Sequence, residues 1–181
     1  MRLARALAAI LLVTLPEAAC SGASQPEEDA MKLVIPAFKP GGPVPVEYTC
    51  DGADISPALE WSEVPAGTRS FALVVDDPDA PGGTFTHWGA YNIPVKMRGL
   101  AAGAGVIGAE FAQARNDFDA PFYKGPCPPR HRGAHRYRFT IYALDVPQID
   151  PGPHPLVLDL EKATERHVLA SAQVVASYAR D

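Results

Sequence analysis

The sequence has little positive charge, few cysteines and almost no long apolar runs. Its 16 Lys and Arg residues are outnumbered by 21 Asp and Glu residues, which gives a formal net charge of -5. Because a nucleic-acid-binding protein generally needs a basic face, this balance argues against nucleic acid as a partner. Beyond the first 20 residues, no apolar run approaches the ~20 residues that a membrane-spanning helix needs. What is left is 181 residues of ordinary globular composition, enough for one domain with a sizeable core.

Recognisable catalytic nucleophiles are also missing. The sequence contains no Gly-x-Ser-x-Gly segment of the kind that carries a hydrolase serine, and neither Ser56 nor Ser62 has a motif around it. Cys127 is flanked by Pro126 and Pro128, which have no backbone N–H to offer to an oxyanion hole. These absences predict a binding protein rather than an enzyme, with no cofactor.

The N-terminus has the pattern of a secretory signal. Arg2 and Arg5 give a positive start, residues 6–15 are apolar, and small residues follow up to Cys20. An apolar run this short is typical of a signal peptide and not of a spanning helix. We predict a signal peptide at residues 1–20, a disordered linker at 21–30 and one domain at 31–181, in an exported, periplasmic protein.

Cys20 stands where a lipoprotein carries its lipidated cysteine. Glu17, however, occupies the position where such a signal usually has leucine. Two readings stay open: lipidation of Cys20, which would tether the protein to a membrane face, or cleavage by an ordinary signal peptidase near the same place.

Two further cysteines, Cys50 and Cys127, lie in the predicted domain. An exported chain folds in an oxidising compartment, so the pair favours one disulfide over the alternative of two buried thiols. Their spacing is not that of a zinc site.

The pattern of apolar residues predicts a mostly β protein, a β-sandwich with a C-terminal peripheral helix. Many of the 19 prolines and 15 glycines separate short apolar runs, as expected for strands joined by ordered loops. Tyr137, Phe139, Ile141 and Ala143 alternate with polar residues and predict one half-buried strand. Strands are predicted at 33–35, 44–48, 58–61, 70–76, 84–93, 136–144 and 173–178. A helix is predicted at 159–169, capped by Asp159.

Polar side chains that could form a site stand at the ends of the predicted strands. Asp77 and Asp79 follow an apolar strand, and the prolines around them would hold both carboxylates in place. His87 lies on the next strand, and His135 opens a later one. Each is ordinary by itself, since Asp before Pro is common turn chemistry. If the strand ends meet, an imidazolium beside a carboxylate, together with backbone N–H groups, could bind a phosphate or carboxylate.

The same residues leave a second reading open. His87, His135 and Asp77 match by composition the two-histidine, one-carboxylate ligand set of some metal centres. Their separation in the sequence neither supports nor excludes such a centre. We predict no metal. A metalloenzyme or a cryptic hydrolase is the third functional hypothesis, after a binding protein and an inhibitor of another protein.

Four segments in this order resemble the signature of the phosphatidylethanolamine-binding proteins. They are Asp77-Pro78-Asp79-Ala80-Pro81, His87, Gly125-Pro126-x-Pro128-Pro129 and His135-Arg136-Tyr137. The Cys50-Asp51-Gly52 and Asn116-Asp117-Phe118 segments, Cys127 and the end of the chain are similar to the bacterial Raf-kinase-inhibitor-like branch. The resemblance covers residues 31–180, essentially the whole predicted domain.

The resemblance implies a β-sandwich with a small cavity at one end that binds phosphate, phospholipid headgroups or small carboxylates. The residues that would line it are Asp77, Asp79, His87, Pro126, His135 and Tyr137. Pro81 and Gly125 would shape the wall. The imidazoles and nearby backbone N–H groups would hold the anion, while the carboxylates would orient the imidazoles or meet a headgroup amine. The family commonly has glycine where this chain has Asp119 and Phe122.

The leading hypothesis is therefore an exported binding protein for a small anion or a phospholipid headgroup. The alternative is an inhibitor of a protease or signalling protein that acts through its surface, with a protein partner. The resemblance also implies a homodimer, because the bacterial branch often forms one.

Overall fold

Two antiparallel sheets and one helix make up the computed structural model, which describes residues 30–106 and 108–181. The strands are β1 (Lys32–Val34), β2 (Leu59–Ser62), β3 (Ser70–Asp77), β4 (Phe85–Pro94), β5 (Gly99–Leu100), β6 (Ala112–Ala114), β7 (His135–Leu144) and β8 (Val168–Tyr178). The helix, α1, spans Val157–Thr164. The smaller sheet has the order β1-β2-β5 and the larger one β6-β4-β3-β7-β8. The predicted mostly β sandwich with a late helix is confirmed.

The central strand β3 is apolar for most of its length because neighbouring layers cover both of its faces. Phe71, Leu73 and Val75 point into the core between the two sheets. Ala72 and Val74 point the other way and pack with residues of α1. Continuous apolar runs are typical of strands that are buried on both faces.

Strand β7 follows its predicted alternation. Tyr137, Phe139, Ile141 and Ala143 are buried in the core between the sheets, whereas Arg138 and its alternate neighbours face the opposite side of the sheet. This pattern aligns the start of β7 with the end of β3, since Asp76 pairs with Arg138 in the antiparallel register. The functional consequence is that His135 lies next to Asp77.

The helix is shorter than predicted. It begins after Leu156 and ends at Thr164, where the sequence predicted 159–169. Asp159 lies inside the first turn, and its carboxylate accepts a hydrogen bond from the Leu156 N–H at 3.1 Å. The chain leaves the helix early because Val168 already pairs with Leu144 of β7. Cross-strand pairing outweighs the weak helical preference of this segment.

Two further corrections concern short segments. The strand predicted at 44–48 is a 3-10 helix at Val46–Tyr48, and strands β5 and β6 were not predicted because two or three residues carry no readable period. The predicted signal peptide, Cys20 and all but the last residue of the linker lie outside the described residues. Among those that are described, no helix has the length and apolar character needed to cross a membrane.

Gly89 lets α1 approach the larger sheet. A β-carbon built on Gly89 would lie 2.8 Å from Val157 Cγ2 and 3.0 Å from Leu160 Cδ2, both on the buried side of the helix. We therefore expect Gly89→Ala to lower the free energy of unfolding by about 1–3 kcal/mol through overpacking, measured by urea denaturation. Gly82→Ala is the matched control, because nothing lies within 4 Å of its built β-carbon. Equal stability of the two variants would contradict this account of the helix packing.

Candidate functional site

A cavity of about 170 Å³ opens at the end of the larger sheet where β3 finishes and β4 and β7 begin. Its lining residues are Asp77, Ala80, Pro81, Phe85, His87, Phe118, Cys127, Pro128, Pro129 and His135. The structure thus brings Asp77, Pro81, His87 and His135 of the predicted set to one surface. Asp79, Gly125, Pro126 and Tyr137 lie around this cavity and are not part of its lining.

Asp77 and His135 form a buried pair in the wall. His135 Nδ1 lies 2.7 Å from Asp77 Oδ2, and the two side chains are 8% and 5% exposed. The other carboxylate oxygen of Asp77 accepts the Asp79 N–H at 2.8 Å. Asp77 therefore fixes the imidazole with Nδ1 as the donor and leaves Nε2 as the ring nitrogen for a ligand.

His87 is held differently. Its Nδ1 lies 2.8 Å from the carbonyl oxygen of Lys124 and 3.1 Å from that of Gly125. Carbonyls only accept, so Nδ1 must carry the hydrogen and Nε2 is again the free ring nitrogen. Burial lowers the pKa of His87 below its usual value of 6.5, although the two carbonyls and the charge of Asp77 act in the opposite direction. The ring is therefore neutral at neutral pH.

Aromatic rings surround His87. The rings of Phe85, Phe118 and Tyr137 meet it edge-on at centroid distances of 5.6, 5.2 and 5.2 Å, and Phe85 meets Phe118 at 4.8 Å. The walls of the cavity are thus mostly apolar, and its polar atoms are few.

Tyr137 lies behind the cavity wall, completely buried. Its hydroxyl has no hydrogen-bond partner among the described residues. Burial, and then the negative charge of nearby Asp77, raise the pKa of Tyr137 well above its usual value. The hydroxyl is therefore protonated and lies close to the Asp77 carboxylate.

Asp79 is paired with Arg136 beside the cavity. Its carboxylate accepts the Arg136 backbone N–H at 2.9 Å and the guanidinium Nε and Nη2 at 2.8 and 2.6 Å. These bonds hold the pKa of Asp79 well below its usual range. Asp79 is therefore ionised and neutralised by a cation, and it anchors the turn after β3 to β7.

Asn116 positions a wall of the cavity and was given no role from the sequence. This buried side chain donates to the His87 carbonyl at 2.6 Å and to the Phe122 carbonyl at 2.9 Å, and its oxygen accepts the N–H groups of Phe118 and Ala120 at 3.1 Å. It holds the loop that places Phe118 over the cavity. The signal was the Asn116-Asp117-Phe118 segment, which carried the resemblance without an assigned role.

The same loop explains one departure from the family pattern. Asp119 has a φ of +62°, in the left-handed region. Glycine adopts this conformation freely, and Asp is among the few other residues that tolerate it. The glycine expected here from the family pattern would suit the same backbone conformation.

The disulfide between Cys50 and Cys127 is present, with Cα atoms 5.4 Å apart. Beside it, Cys50 N–H donates to the Pro126 carbonyl at 3.2 Å, and Gly125 N–H donates to Asp54 Oδ1 at 2.6 Å. A β-carbon on Gly125 would lie 2.2 Å from the Tyr48 carbonyl oxygen. Gly125 and Pro126 therefore fix the proline-rich wall to the segment at 48–54, and the cavity is lined by the residues that follow them.

The metal reading finds no support in the described part of the chain. No group of three His, Cys, Asp or Glu side chains there has the arrangement of a metal site. Both oxygens of Asp77 accept hydrogen bonds, one from the Asp79 N–H and one from His135 Nδ1.

The burial of neutral His87 predicts a pH-dependent stability. In the unfolded chain the ring takes up a proton near pH 6.5, whereas in the fold its pKa is lower. Below that pH the unfolded state binds more protons, so the free energy of unfolding should fall from about pH 7 to about pH 5. Urea denaturation across this range should show a flatter dependence for His87→Gln. Parallel curves for the two proteins would contradict the assignment.

The disulfide predicts a loss of stability on reduction. It joins residues 77 positions apart. A cross-link of this span lowers the conformational entropy of the unfolded chain, which contributes about 4.5 kcal/mol of stability in the chain-entropy model, with measured effects of about 2–5 kcal/mol. The Cys50→Ser, Cys127→Ser double variant should lose that much free energy of unfolding. A variant as stable as the oxidised wild type would show that the surrounding hydrogen bonds alone secure this wall.

Comparison with known proteins agrees with this architecture. A family model described as phosphatidylethanolamine-binding protein matches residues 34–179. A UPF0098 protein of Aquifex aeolicus is 44% identical over 153 residues, which is 83% of this chain and 90% of that protein. A Mycobacterium tuberculosis protein named "Putative lipoprotein LppC" is 42% identical over 140 residues, 76% of this chain and 68% of that one.

Two solved structures share the fold over nearly their full length. YbcL of E. coli, described as a member of the mammalian PEBP family, superposes with a TM-score of 0.79 at 30% identity and covers 83% of this chain and 99% of its own. The PEBP homologue CT736 of Chlamydia trachomatis gives 0.76 at 36% identity, with 84% and 99% covered. The chain therefore belongs to the phosphatidylethanolamine-binding protein family.

Proposed function

We propose that this protein binds a small anion, such as phosphate, the phosphoryl group of a lipid headgroup or a small carboxylate, in the cavity beside His87 and His135. The observation that carries the proposal is the pair of imidazoles whose Nδ1 atoms are committed to the protein, which reserves both Nε2 atoms for a ligand. The carboxylate nearest to them, Asp77, is occupied by His135 and by the Asp79 N–H. An anion entering the cavity therefore meets nitrogen atoms and not free carboxylate oxygens.

A larger cavity, of about 330 Å³, lies beside α1 and suits an anion poorly. Its lining consists of Tyr142, Leu158, Glu161, Thr164, Glu165 and Val168. Two carboxylates and no basic side chain line it, so it would repel a phosphate. The chemistry of the lining, and not its volume, selects the smaller cavity.

The size of the cavity limits the ligand. Sites for drug-sized molecules generally have volumes of about 300–1,000 Å³, whereas this one has about 170 Å³. A phosphate or a headgroup fits this space better than a whole lipid, whose acyl chains would remain outside.

The lining also favours binding over turnover. Its members contribute no serine or threonine hydroxyl, and its one cysteine, Cys127, is consumed in the disulfide. The lining therefore offers neither a hydroxyl nor a free thiol for a covalent intermediate, which supports binding over hydrolysis of the serine or cysteine type.

Export to an oxidising compartment is part of the proposal. It is supported by the signal pattern at residues 1–20, by the Cys50–Cys127 disulfide and by the mycobacterial relative that is named as a lipoprotein. Lipidation of Cys20 would place the cavity near a membrane face and its phospholipid headgroups. A homodimer and a protein partner remain predictions of the family resemblance.

Calorimetric titration of the domain at 31–181 with phosphate, phosphoethanolamine and acetate tests the proposal. Wild type should show saturable binding. His135→Ala should weaken it about 10- to 100-fold, since a hydrogen bond to a charged group contributes roughly 1.5–3 kcal/mol. Asp77→Ala should also weaken binding, because the His135 ring loses the partner that orients it.

His167→Ala is the matched control. His167 Nδ1 forms a similar pair with Asp145 at 2.9 Å, but on the surface and away from the cavity, so its loss should leave anion affinity unchanged. Absence of binding by wild type, or equal weakening by His135→Ala and His167→Ala, would refute the proposed site. A preference for phosphoethanolamine over phosphate would identify a headgroup as the source of the anion.

A further inference from the structure

The two imidazoles of the cavity differ in the hydrogen-bond partner of Nδ1, which is a carboxylate for His135 and backbone carbonyls for His87. This difference bears on whether a proton is taken up when a ligand binds. We propose that an anion enters the cavity together with one proton, which His87 takes up at Nε2. The inference rests on the proposed function and adds to it a pH control: affinity rises as the pH falls. His135 already has a carboxylate partner in Asp77, whereas His87 has none among the described residues.

The contrast between the two rings is geometric. His135 Nδ1 donates to a carboxylate oxygen of Asp77 at 2.7 Å, so this ring already has an anionic partner within the protein. His87 Nδ1 donates only to the neutral carbonyls of Lys124 and Gly125. The tautomer of His87 is fixed by those carbonyls, and a proton on Nε2 would charge a ring that has no carboxylate in hydrogen-bond contact.

Charged and titratable groups approach His87 from three neighbouring elements. They are Asp76 and Asp77 of β3, His135 and Tyr137 of β7, and Asp117 and Lys124 of the loop between β6 and β7. The two β3 carboxylates favour the charged form of His87, but from a distance.

The ionised groups in this set are already engaged elsewhere. Asp76 holds Arg138 through two bonds of 2.6 and 2.8 Å, and Asp77 holds His135. Asp117 accepts the N–H and the hydroxyl of Thr86, and Lys124 pairs with Asp54. None of the described groups is therefore free to serve as the counter-ion of His87, and the ligand itself must supply that charge.

Burial makes this requirement strict. His87 is 2% exposed and is enclosed by the rings of Phe85, Phe118 and Tyr137. A charged ring in such surroundings is unfavourable unless it is paired. An oxygen of a bound anion at Nε2 would provide a charge-assisted hydrogen bond that offsets the cost.

The balance of the step is simple. The free protein has a lone pair on His87 Nε2; the complex has Nε2–H donating to an anion oxygen, and the proton comes from solvent. No covalent bond within the ligand forms or breaks. Binding thus raises the proton affinity of the ring, and by linkage the apparent affinity should fall about tenfold for each pH unit above the pKa of the free ring.

Sulfate is the probe for the first measurement, because it keeps both charges at neutral pH and any proton taken up belongs to the protein. Calorimetry near pH 7.5 in two buffers with different ionisation enthalpies should report uptake of about one proton for each sulfate bound. His87→Gln, which can donate an N–H but cannot take up a proton, should bind more weakly, with no uptake and with an affinity that changes little with pH. His167→Gln should behave like wild type.

Nitrogen NMR of the histidine rings gives a second readout that needs no variant. The His87 ring should be the neutral Nδ1–H tautomer in the free protein and doubly protonated once sulfate is bound. This measurement decides the question if His87→Gln does not fold or does not bind.

The possible failures are distinguishable. Sulfate binding without proton uptake, uptake that persists in His87→Gln, or a His87 ring that stays neutral in the complex would overturn the proton coupling and leave the anion site intact. If neither sulfate nor phosphate binds wild type at any pH from about 5.5 to 8.5, the proposed function fails, and the coupling fails with it.

Discussion

The position of β3 between β4 and β7 is the constraint on which the cavity depends. Both neighbours run antiparallel to β3, so its end coincides with their beginnings, and Asp77, His87 and His135 meet although they are far apart in the chain. The strand can be central only because its residues are apolar toward the sheet-to-sheet core on one face and toward α1 on the other.

At this end of the sheet, the carboxylates have hydrogen-bond partners within the protein, whereas each of the two imidazoles has one ring nitrogen without such a partner among the described residues. Asp79 is bound by Arg136, Asp76 by Arg138, and both oxygens of Asp77 accept hydrogen bonds. These carboxylates therefore stabilise the fold, and the Nε2 atom of each imidazole is left for a ligand. In the proposed anion site, the carboxylates therefore contact partners within the protein, and the two histidines line the cavity.

One set of hydrogen bonds and one covalent bond hold the remaining walls of the cavity. Asn116 closes the loop under Phe118 with four hydrogen bonds, and the Cys50–Cys127 disulfide secures the proline-rich segment that lies opposite. Prolines restrict backbone freedom and contribute no N–H donors, so this segment needs an external attachment. Rigid walls keep a small cavity open without a ligand, which reduces the ordering cost of binding.

The sequence by itself determined the fold class, most of the strands and the family, because alternation in β7, the apolar run of β3 and the order of the short motifs are local properties of the chain. It favoured a disulfide between Cys50 and Cys127, and the structure decided that they are paired. It also singled out Asp77, His87 and His135. Only the tertiary structure decided which partner holds each of them. Asp79 does not line the cavity because it is bound to Arg136, and Tyr137 does not because it is buried behind His87. The two imidazoles differ in their Nδ1 partners because His87 donates to backbone carbonyls, which a residue of any type could provide. Side-chain identity is written in the sequence, whereas hydrogen-bond partners and burial arise from contacts between distant segments.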